Sequence, residues 1–420
     1  MPGYRSALAG REFRRLFAAG LASSSGGSVT AVCLLWIVFA TTHSAIDVGL
    51  VGTSELFAGV LFSLVGGGLV DRYDRRNLMV VSDLVRAGTV GALAVFLRVV
   101  GFDLPVILLG AFVISAFSTI FNPAEQTVVP AIVGPELIAD ANGLIRSTQA
   151  ITMLAGASAG GVLIVTVGPL VGLAYNAATF LFSAFLLAGL ALSAEARRPT
   201  RAARPSSFVA DVVDGFRWLR GEVGLLTLTV SAGFFNFFQT IVGSFVVVYA
   251  TIALHGTGAL FGLLLAAQVG ASGLGSLAVG RTGAVRWAGR AWVVFYGLLS
   301  PLTAVGLALF PTPAVAFVLL GALGFFGGFA GTAWLTAAQL TVPTEMQGRY
   351  FGVDGLGSWA ILPAGQIGGG FLIAGLGIRS AYLLAGIVWL VFGAGFALSR
   401  PLARWGHRPT GTEPSSPSPR

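Results

Sequence analysis

Residues 147–194 read STQAITMLAGASAGGVLIVTVGPLVGLAYNAATFLFSAFLLAGLALSA, without one Asp, Glu, Arg or Lys. Gly168-Pro169 punctuates the stretch near its middle. A bilayer-spanning helix needs roughly 20 apolar residues, so two spans fit here, with the Gly-Pro pair as their turn. The same reading applies twice more. Val223 to Gly280 breaks at His255-Gly256-Thr257-Gly258, and Ala291 to Thr344 breaks at Pro311-Thr312-Pro313. Single spans fit Leu16 to Ile46, Leu104 to Ala124, Gly355 to Ile378 and Ser380 to Ser399. Residues 47–70 and 77–99 supply two further spans that carry a few ionisable residues. The total is twelve, which predicts an all-α membrane protein.

Composition agrees. Of the 420 residues, 55% are hydrophobic and 10% charged, against about 25% charged in a typical soluble protein. A water-exposed shell of this size would lack polar groups to face the solvent. Glycine, at 59 residues, lets helices approach closely where lipid provides no hydrophobic drive to pack them. The single cysteine, Cys33, cannot form an internal disulfide and reads as a packing residue. His43, His255 and His407 lie far apart in the chain, so the sequence contains no metal-ligand cluster.

The net charge of +8 is segregated in a way that excludes nucleic-acid binding as its cause. With the N-terminus inside, twenty-one of the arginines fall in cytoplasmic segments, whereas only Arg98 and Arg379 fall in outer loops. The positive-inside rule therefore predicts both termini in the cytoplasm. The first apolar run is span-length and lacks a cleavage site, so no removable leader is expected. The expected location is the inner membrane of a bacterial cell.

One polar interruption, around residues 195–221, divides the chain. It predicts an N-terminal six-helix half over 1–194, a cytoplasmic linker, a C-terminal half over 222–400 and a disordered tail over 401–420. Within the linker, Val209, Val212, Val213, Phe216 and Leu219 form one apolar face of a short helix lying at the membrane surface. An unstructured linker with chance periodicity is the alternative. The halves also repeat one another. Gly161-Val162-Leu163-Ile164 with Gly168 matches Gly370-Phe371-Leu372-Ile373 with Gly377, and Gln126 with Val129-Pro130 matches Gln339 with Val342-Pro343. Six spans per half imply two related bundles around a central pathway.

Between the second and third spans the chain reads Gly67-Gly68-Leu69-Val70-Asp71-Arg72-Tyr73-Asp74-Arg75-Arg76. This resembles the signature loop of the major facilitator superfamily, G-x-L-[AS]-D-[RK]-x-G-R-[RK], in Gly67, Leu69, Asp71, Arg72, Arg75 and Arg76; Val70 and Asp74 depart from it. Phe121-Asn122-Pro123-Ala124, Val129-Pro130, Ala141-Asn142 and Gly348-Arg349 resemble the branch that contains enterobactin-type siderophore exporters and related multidrug exporters. The resemblance implies a secondary active exporter of a small, bulky amphipathic compound, working by alternating access and driven by inward proton flow. No cofactor is expected beyond that gradient, and a monomer is expected.

The same resemblance places Asp71 against the start of helix 11, where free amides and the helix dipole favour a carboxylate. Arg75 and Arg76 would bridge to carboxylates on adjacent helix ends, closing the cytoplasmic gate. Asp354 should then turn away from Asp71 or pair with Arg75 or Arg349. In the second half, Gly275 and Gly280-Arg281 stand without an acid equivalent to Asp71, which predicts a weaker gate. Ala157 replaces the proline of the G-P-x-x-G-G pattern of proton-driven exporters, so the fifth helix keeps its glycine face and loses the bend.

By the same analogy helices 1, 4, 7 and 10 line the cavity. Phe235, Asn236, Phe238 and Gln239 on helix 7, with Phe326 and Trp334 on helix 10, are the candidate substrate contacts: aromatic walls with few polar groups suit a bulky ligand. An ionised carboxylate within a span is costly. Glu55 lies eight residues from Asp47, about 12 Å along the helix, and no Arg lies on helix 2 outside its terminal loop. Protonation is its cheapest escape, which makes it the candidate proton carrier; the alternative is that it borders a watery outer mouth. Asp83 and Arg86, three apart, can pair. Glu125, Arg146 and Asp354 read as gate or interface residues.

A P-loop is excluded, since the chain contains no lysine. A membrane enzyme would need clustered nucleophiles, metal ligands or paired carboxylates at one depth, and the sequence offers none. A lipid or lysolipid flippase and an uptake transporter of the same fold stay open as alternatives.

Overall fold

The computed structural model describes residues 2–134, 137–192, 216–282, 288–342, 350, 353–355, 357–358 and 360–398, with residues 2–5, 63–72, 139, 146, 147, 150 and 280–282 described by their backbone alone. After a short N-terminal helix, Pro2–Ala9, the first six spans are α1 (Arg11–Thr42), α2 (Ala45–Arg72), α3 (Arg75–Val99), α4 (Leu104–Val133), α5 (Ile138–Thr166) and α6 (Pro169–Ala188). The second six are α7 (Val223–Ala253), α8 (Gly258–Thr282), α9 (Ala288–Leu309), α10 (Pro313–Thr341), α11 (Leu362–Leu376) and α12 (Ile378–Ala397). The described residues thus contain the twelve spans expected. The linker has helical residues 216–221; residues 193–215 lie outside the described residues, as do 399–420.

Local chemistry sets the boundaries. Gly168 adopts φ +91° and Pro169 opens α6, as a residue with fixed φ and no need of an N–H partner should. Thr312 and Asp103 accept the N–H groups of Val315 (3.4 Å) and Val106 (3.0 Å), capping α10 and α4. Asp74, the residue that departs from the signature loop, accepts the N–H of Asn77 at 3.0 Å and caps α3. Several helices run beyond their uncharged cores. α1 begins at Arg11, α4 continues through Glu125 to Val133, and α5 begins before Arg146. Intrahelical hydrogen bonding does not stop where the hydrocarbon does, so charges flank the spans on continuous helix.

Two spans contain π-helical segments, Tyr249–Ala253 in α7 and Trp292–Leu299 in α9. In α9 the segment ends two residues before Pro301, whose ring would clash with a regular helical carbonyl. Ser300 donates to the carbonyl of Phe295 (2.9 Å).

The packing is two-fold. α1 packs on α5 and α6, α2 on α4, and α3 on α4 and α6; adding six to each number gives the pairings of the second half, α7 on α11 and α12, α8 on α10, α9 on α10 and α12. The halves meet through α5–α8 and α2–α11, which the same operation exchanges. Equivalent residues perform equivalent tasks. Gly161 on α5 lies against Gly258 and Gly262 of α8, and its repeat partner Gly370 on α11 lies against Ala45 and Ile46 of α2. Gly168 and Gly377 form the following turns at φ +91° and +77°. His43 and His255, spaced apart in sequence, both occupy left-handed positions at φ 51° where α1 and α7 give way to the next helix.

These interlocks lie toward the end of the bundle opposite the start of α1 and the end of α12. A Cβ on Gly262 would stand 2.6 Å from Ala157 O and 2.7 Å from Gly161 Cα; one on Gly49 would stand 2.5 Å from Gln366 O. Backbone meets backbone there, which only glycine permits. Gln366 lies over Gly52 and donates to Ser244 Oγ at 2.9 Å. By contrast, Gly27 on α1, Gly273 on α8 and Gly331 on α10 meet nothing within 4 Å.

Candidate functional site

Two cavities open beyond the interlock. The first, about 620 Å³, belongs mainly to the N-terminal half, with Leu265 and Val269 of α8 contributed from across the interface. α4 presents Ser115, Ser118, Asn122 and Glu125 to it, at steps of three, four and three that keep one helix face inward. α1 presents Gly20, Ser23, Ser24, Gly27 and Ser28, and α2 presents Glu55. The hydroxyls also satisfy the main chain: Ser115 donates to Glu55 O (2.7 Å), and Ser28 to Ser24 O (2.8 Å).

Arg86 forms the floor of this cavity and pairs with Asp83, as their spacing predicts. Its guanidinium also donates to Ser118 Oγ (3.3 Å) and Ser82 O (3.3 Å), and lies between the rings of Phe121 and Phe180, 4.6 and 4.5 Å from their centroids. Ser183 donates to the second oxygen of Asp83 at 2.6 Å. A buried ion pair is tolerable when its remaining hydrogen-bonding capacity is met, and here three helices meet it.

Glu125 is 7% exposed and touches the cavity beside Gly20, whose missing Cβ would stand 3.1 Å from its Oε1. It has neither a hydrogen bond nor an ion pair among the described residues, and Glu55 has no cation partner among them. The sequence expectation that Glu125 serves a gate or interface missed this setting. The signal was present in the polar face of α4, but the uncharged run used to place the span ended at Ala124.

The second cavity, about 440 Å³, lies in the C-terminal half and has a different lining: Asn236, Gln239 and Ser244 of α7, Gln268 of α8, Trp292 and Tyr296 of α9, Trp334 of α10, and Asp354 and Ser358 before α11. Tyr296 donates to Asn236 Oδ1 (2.7 Å), and Asn236 donates to Ser358 O (3.0 Å). The buried Oε1 atoms of Gln239 and Gln268 have no partner among the described residues. An unmet buried amide costs about 1–3 kcal/mol, so a ligand with donor groups gains by meeting them.

Of the expected substrate contacts, Asn236, Gln239 and Trp334 line this cavity. Phe235, Phe238 and Phe326 do not. Phe235 is fully buried against Trp292, Tyr296 and Phe396; Phe238 packs on Trp389 and Phe392; Phe326 packs on Phe295 and Phe325. Side chains one residue apart are rotated about 100° on a helix, so α7 turns its amides to the cavity and its rings to α9 and α12. Trp292 and Tyr296, on the π-helical segment, are aromatic walls that went unrecognised, because that segment shifts the helical phase.

The side chains of Gly67, Asp71 and Arg72 and the whole of residues 343–349 lie outside the described residues, so the expected Asp71 contact does too. Arg75 is buried at the start of α3. Arg76 donates to the carbonyls of Ala188 (3.4 Å) and Leu190 (3.5 Å), rather than to a carboxylate. Arg15 donates to Gly189 O beside them, and Glu12 accepts the N–H of Ala191 at 2.8 Å. Cations against the last carbonyls of α6 stabilise its C-terminus. Asp354 accepts hydroxyl hydrogen bonds from Thr229 (2.8 Å) and Ser358 (3.3 Å); Arg349 and the side chain of Asp71, which its expected orientation concerns, lie outside the described residues. The linker's Trp218 stacks edge-on against Tyr350, and Leu219 is buried beside Val342 and Val353.

Twelve helices in two exchanged halves, with interlocked glycines at one end and polar cavities within, define a transporter of the major facilitator fold. The fold is found in solved structures. A mutant of the nucleoside transporter NupG superposes with a TM-score of 0.76 at 14% identity, covering 92% of this chain and 99% of that one. A bacterial homologue of the iron transporter ferroportin, in an inward-facing state, superposes with a TM-score of 0.66 at 15% identity, covering 93% and 99%. The chain belongs to the transmembrane secretion effector family, whose match covers residues 4–410. Its relatives include the multidrug efflux pump Tap of Mycolicibacterium fortuitum, 26% identical over 90% of this chain and 93% of that protein, and Tap of Mycobacterium tuberculosis, 25% identical over 90% and 91%. The chain is a multi-pass membrane transporter and not an enzyme.

Proposed function

We propose that the protein exports a small, bulky amphipathic compound, such as a drug, siderophore or other secondary metabolite, by alternating access. The observation that carries this reading is the pairing of a glycine interlock at one end with two polar cavities immediately beyond it. Such a contact is close-packed in one arrangement of the halves and released in another, the bistable element that alternating access needs. Similarity to multidrug efflux pumps supports export over uptake. The arginine asymmetry supports both termini in the cytoplasm, so the interlock closes the outer side and the cavities face inward.

Proton antiport is the proposed driving force, with Glu55 as carrier. The carboxylate lines the first cavity without a cation partner among the described residues, so a proton is its available counter-charge. Glu55→Gln should abolish gradient-driven efflux while leaving energy-independent exchange of the same substrate; gradient-driven efflux that survives removes Glu55 from the cycle. The broader reading is tested by drug and metabolite accumulation in an efflux-deficient host, with and without the protein, before and after the proton gradient is collapsed. Equal accumulation in all four conditions overturns it.

A further inference from the structure

The two cavities differ in charge, and that difference selects a ligand. Around the first stand Glu55, Glu125, Asp83 and Arg86. Arg86 is committed to Asp83 and enclosed by Phe121 and Phe180, so that pair is locally neutral. Two carboxylates are left over. Glu125 carries the argument, for it is more than nine-tenths buried, reaches the cavity wall and has no hydrogen-bond or ion-pair partner among the described residues. Gly20 leaves room for its carboxylate against the backbone of α1. A buried acid without a hydrogen bond is expensive even with the Arg86 charge nearby. A cavity that also exposes serine hydroxyls, which accept hydrogen bonds from N–H donors, supplies the rest of a shell for an ammonium or amidinium group. The second cavity has amides, indoles and a phenol, and the one carboxylate among its described residues, Asp354, is taken up by two hydroxyls.

We propose that the first cavity is a cation subsite, in which Glu125 makes the charge contact with an organic amine or other organic cation and Glu55 adds to the field. This rests on the exporter reading above and narrows it: of the compounds that reading allows, basic amphiphiles are selected and anionic chelators are repelled. An anion would meet three carboxylates, Glu55, Glu125 and Asp83, against one guanidinium among the described residues, whose charge Asp83 and Glu125 share.

The test is equilibrium binding to the full chain in zwitterionic phosphatidylcholine nanodiscs, which needs neither a gradient nor a direction of transport. The probes are ethidium, a permanent aromatic cation, and N-phenyl-1-naphthylamine, a neutral aromatic. Glu125→Gln should weaken ethidium at least tenfold and leave the neutral dye within twofold. Glu125→Asp should retain most of the ethidium affinity, and Glu55→Gln should lower it about threefold. Ethidium binding within twofold of wild type in Glu125→Gln, or equal loss of both probes, overturns the proposal. Should Glu125→Gln fail to assemble, Glu55→Gln and Glu125→Asp decide: an ethidium affinity indifferent to the first, or lost in the second, overturns it. A wild-type protein that binds only the neutral dye refutes the cation subsite while the exporter reading stands. One that binds neither refutes both.

Discussion

Adding a single methyl group at Gly262 should change which side of the protein is open. The new Cβ would stand 2.6 Å from Ala157 O, 2.7 Å from Gly161 Cα and 2.9 Å from Gly161 N, against the 3.4 Å at which ordinary contact begins. All three atoms are backbone of α5, so no side-chain rotation relieves the clash. The two helices must separate by roughly 0.7 Å at that level, the shortfall of the closest carbon pair. Overpacking of this kind costs about 1–3 kcal/mol, or a roughly 5- to 150-fold shift in the equilibrium between the closed and open arrangements. In states where α5 and α8 part, the methyl costs nothing. Gly273→Ala, on the same helix with nothing within 4 Å, carries the same gain in helix propensity and serves as the control. Spin labels on cysteines at Val167 and Thr257, in a Cys33→Ala background, flank the interlock from the α5–α6 and α7–α8 turns. Double electron–electron resonance should show the short-distance population falling in Gly262→Ala and unchanged in Gly273→Ala, and substrate turnover should fall at least fivefold in the first alone. Identical distance distributions and transport in the two variants would refute the gating role of this contact.

Asp71→Asn should keep wild-type abundance and slow transport several-fold, measured as initial efflux rate per copy; wild-type turnover would remove the carboxylate from the cytoplasmic gate. Asp83→Asn leaves the Arg86 charge buried without its partner, and loss of a buried pair costs about 3–5 kcal/mol; a marked drop in the thermal unfolding midpoint in detergent should register it. Tyr296→Phe removes one hydrogen bond to Asn236, worth about 0.5–1.5 kcal/mol, and frees that amide toward the second cavity. A two- to tenfold change in neutral-dye affinity is expected, with ethidium affinity moved no more than twofold.

Much of the architecture was legible because bilayer imposes one loud rule, span-length runs without charge. The punctuation at Gly168-Pro169, His255 to Gly258 and Pro311 to Pro313 fell in the turns for reasons local to those residues. The repeat read from Gly161 and Gly370 proved to mark equivalent contacts between the halves. The Asp83–Arg86 pair followed from helix geometry alone. Side-chain direction was harder. In water, an amphipathic pattern says which helix face is inside; in lipid, both faces are apolar and the pattern fades. Phe235 and Phe238 therefore looked nearly as fit for the cavity as Asn236 and Gln239, which the cost of an amide in lipid set only slightly ahead. Only polar residues kept a usable phase, and on α4 they sat partly beyond the run that delimited the span. The π-helical turn that presents Trp292 and Tyr296 has no compositional mark beyond the proline that follows it.

The repeat is preserved where the halves touch and lost where they enclose space. The offset of 212 between His43 and His255 carries Glu55 to Ala267 and Arg86 to Leu298; the offset of 213 between Gln126 and Gln339 carries Glu125 to Ala338. Every ionisable group among the described lining of the first cavity therefore maps to an apolar residue in the second half. Close contacts tolerate no such divergence, since a Cβ on Gly161 or Gly370 would meet backbone within 3 Å. The interiors answer to a different constraint, because a charge in a helical bundle survives only where hydroxyls, water or a partner surround it. The N-terminal half supplies that surrounding with serines on α1 and α4; in the C-terminal half Thr229 and Ser358 supply it to Asp354, and the rest of the described lining is mainly indoles and amides on α7, α9 and α10. Contact between the halves constrains the interlocks and leaves the cavity walls free to differ. The halves thus differ in the chemistry of their cavities, while the glycine interlocks between them stay paired.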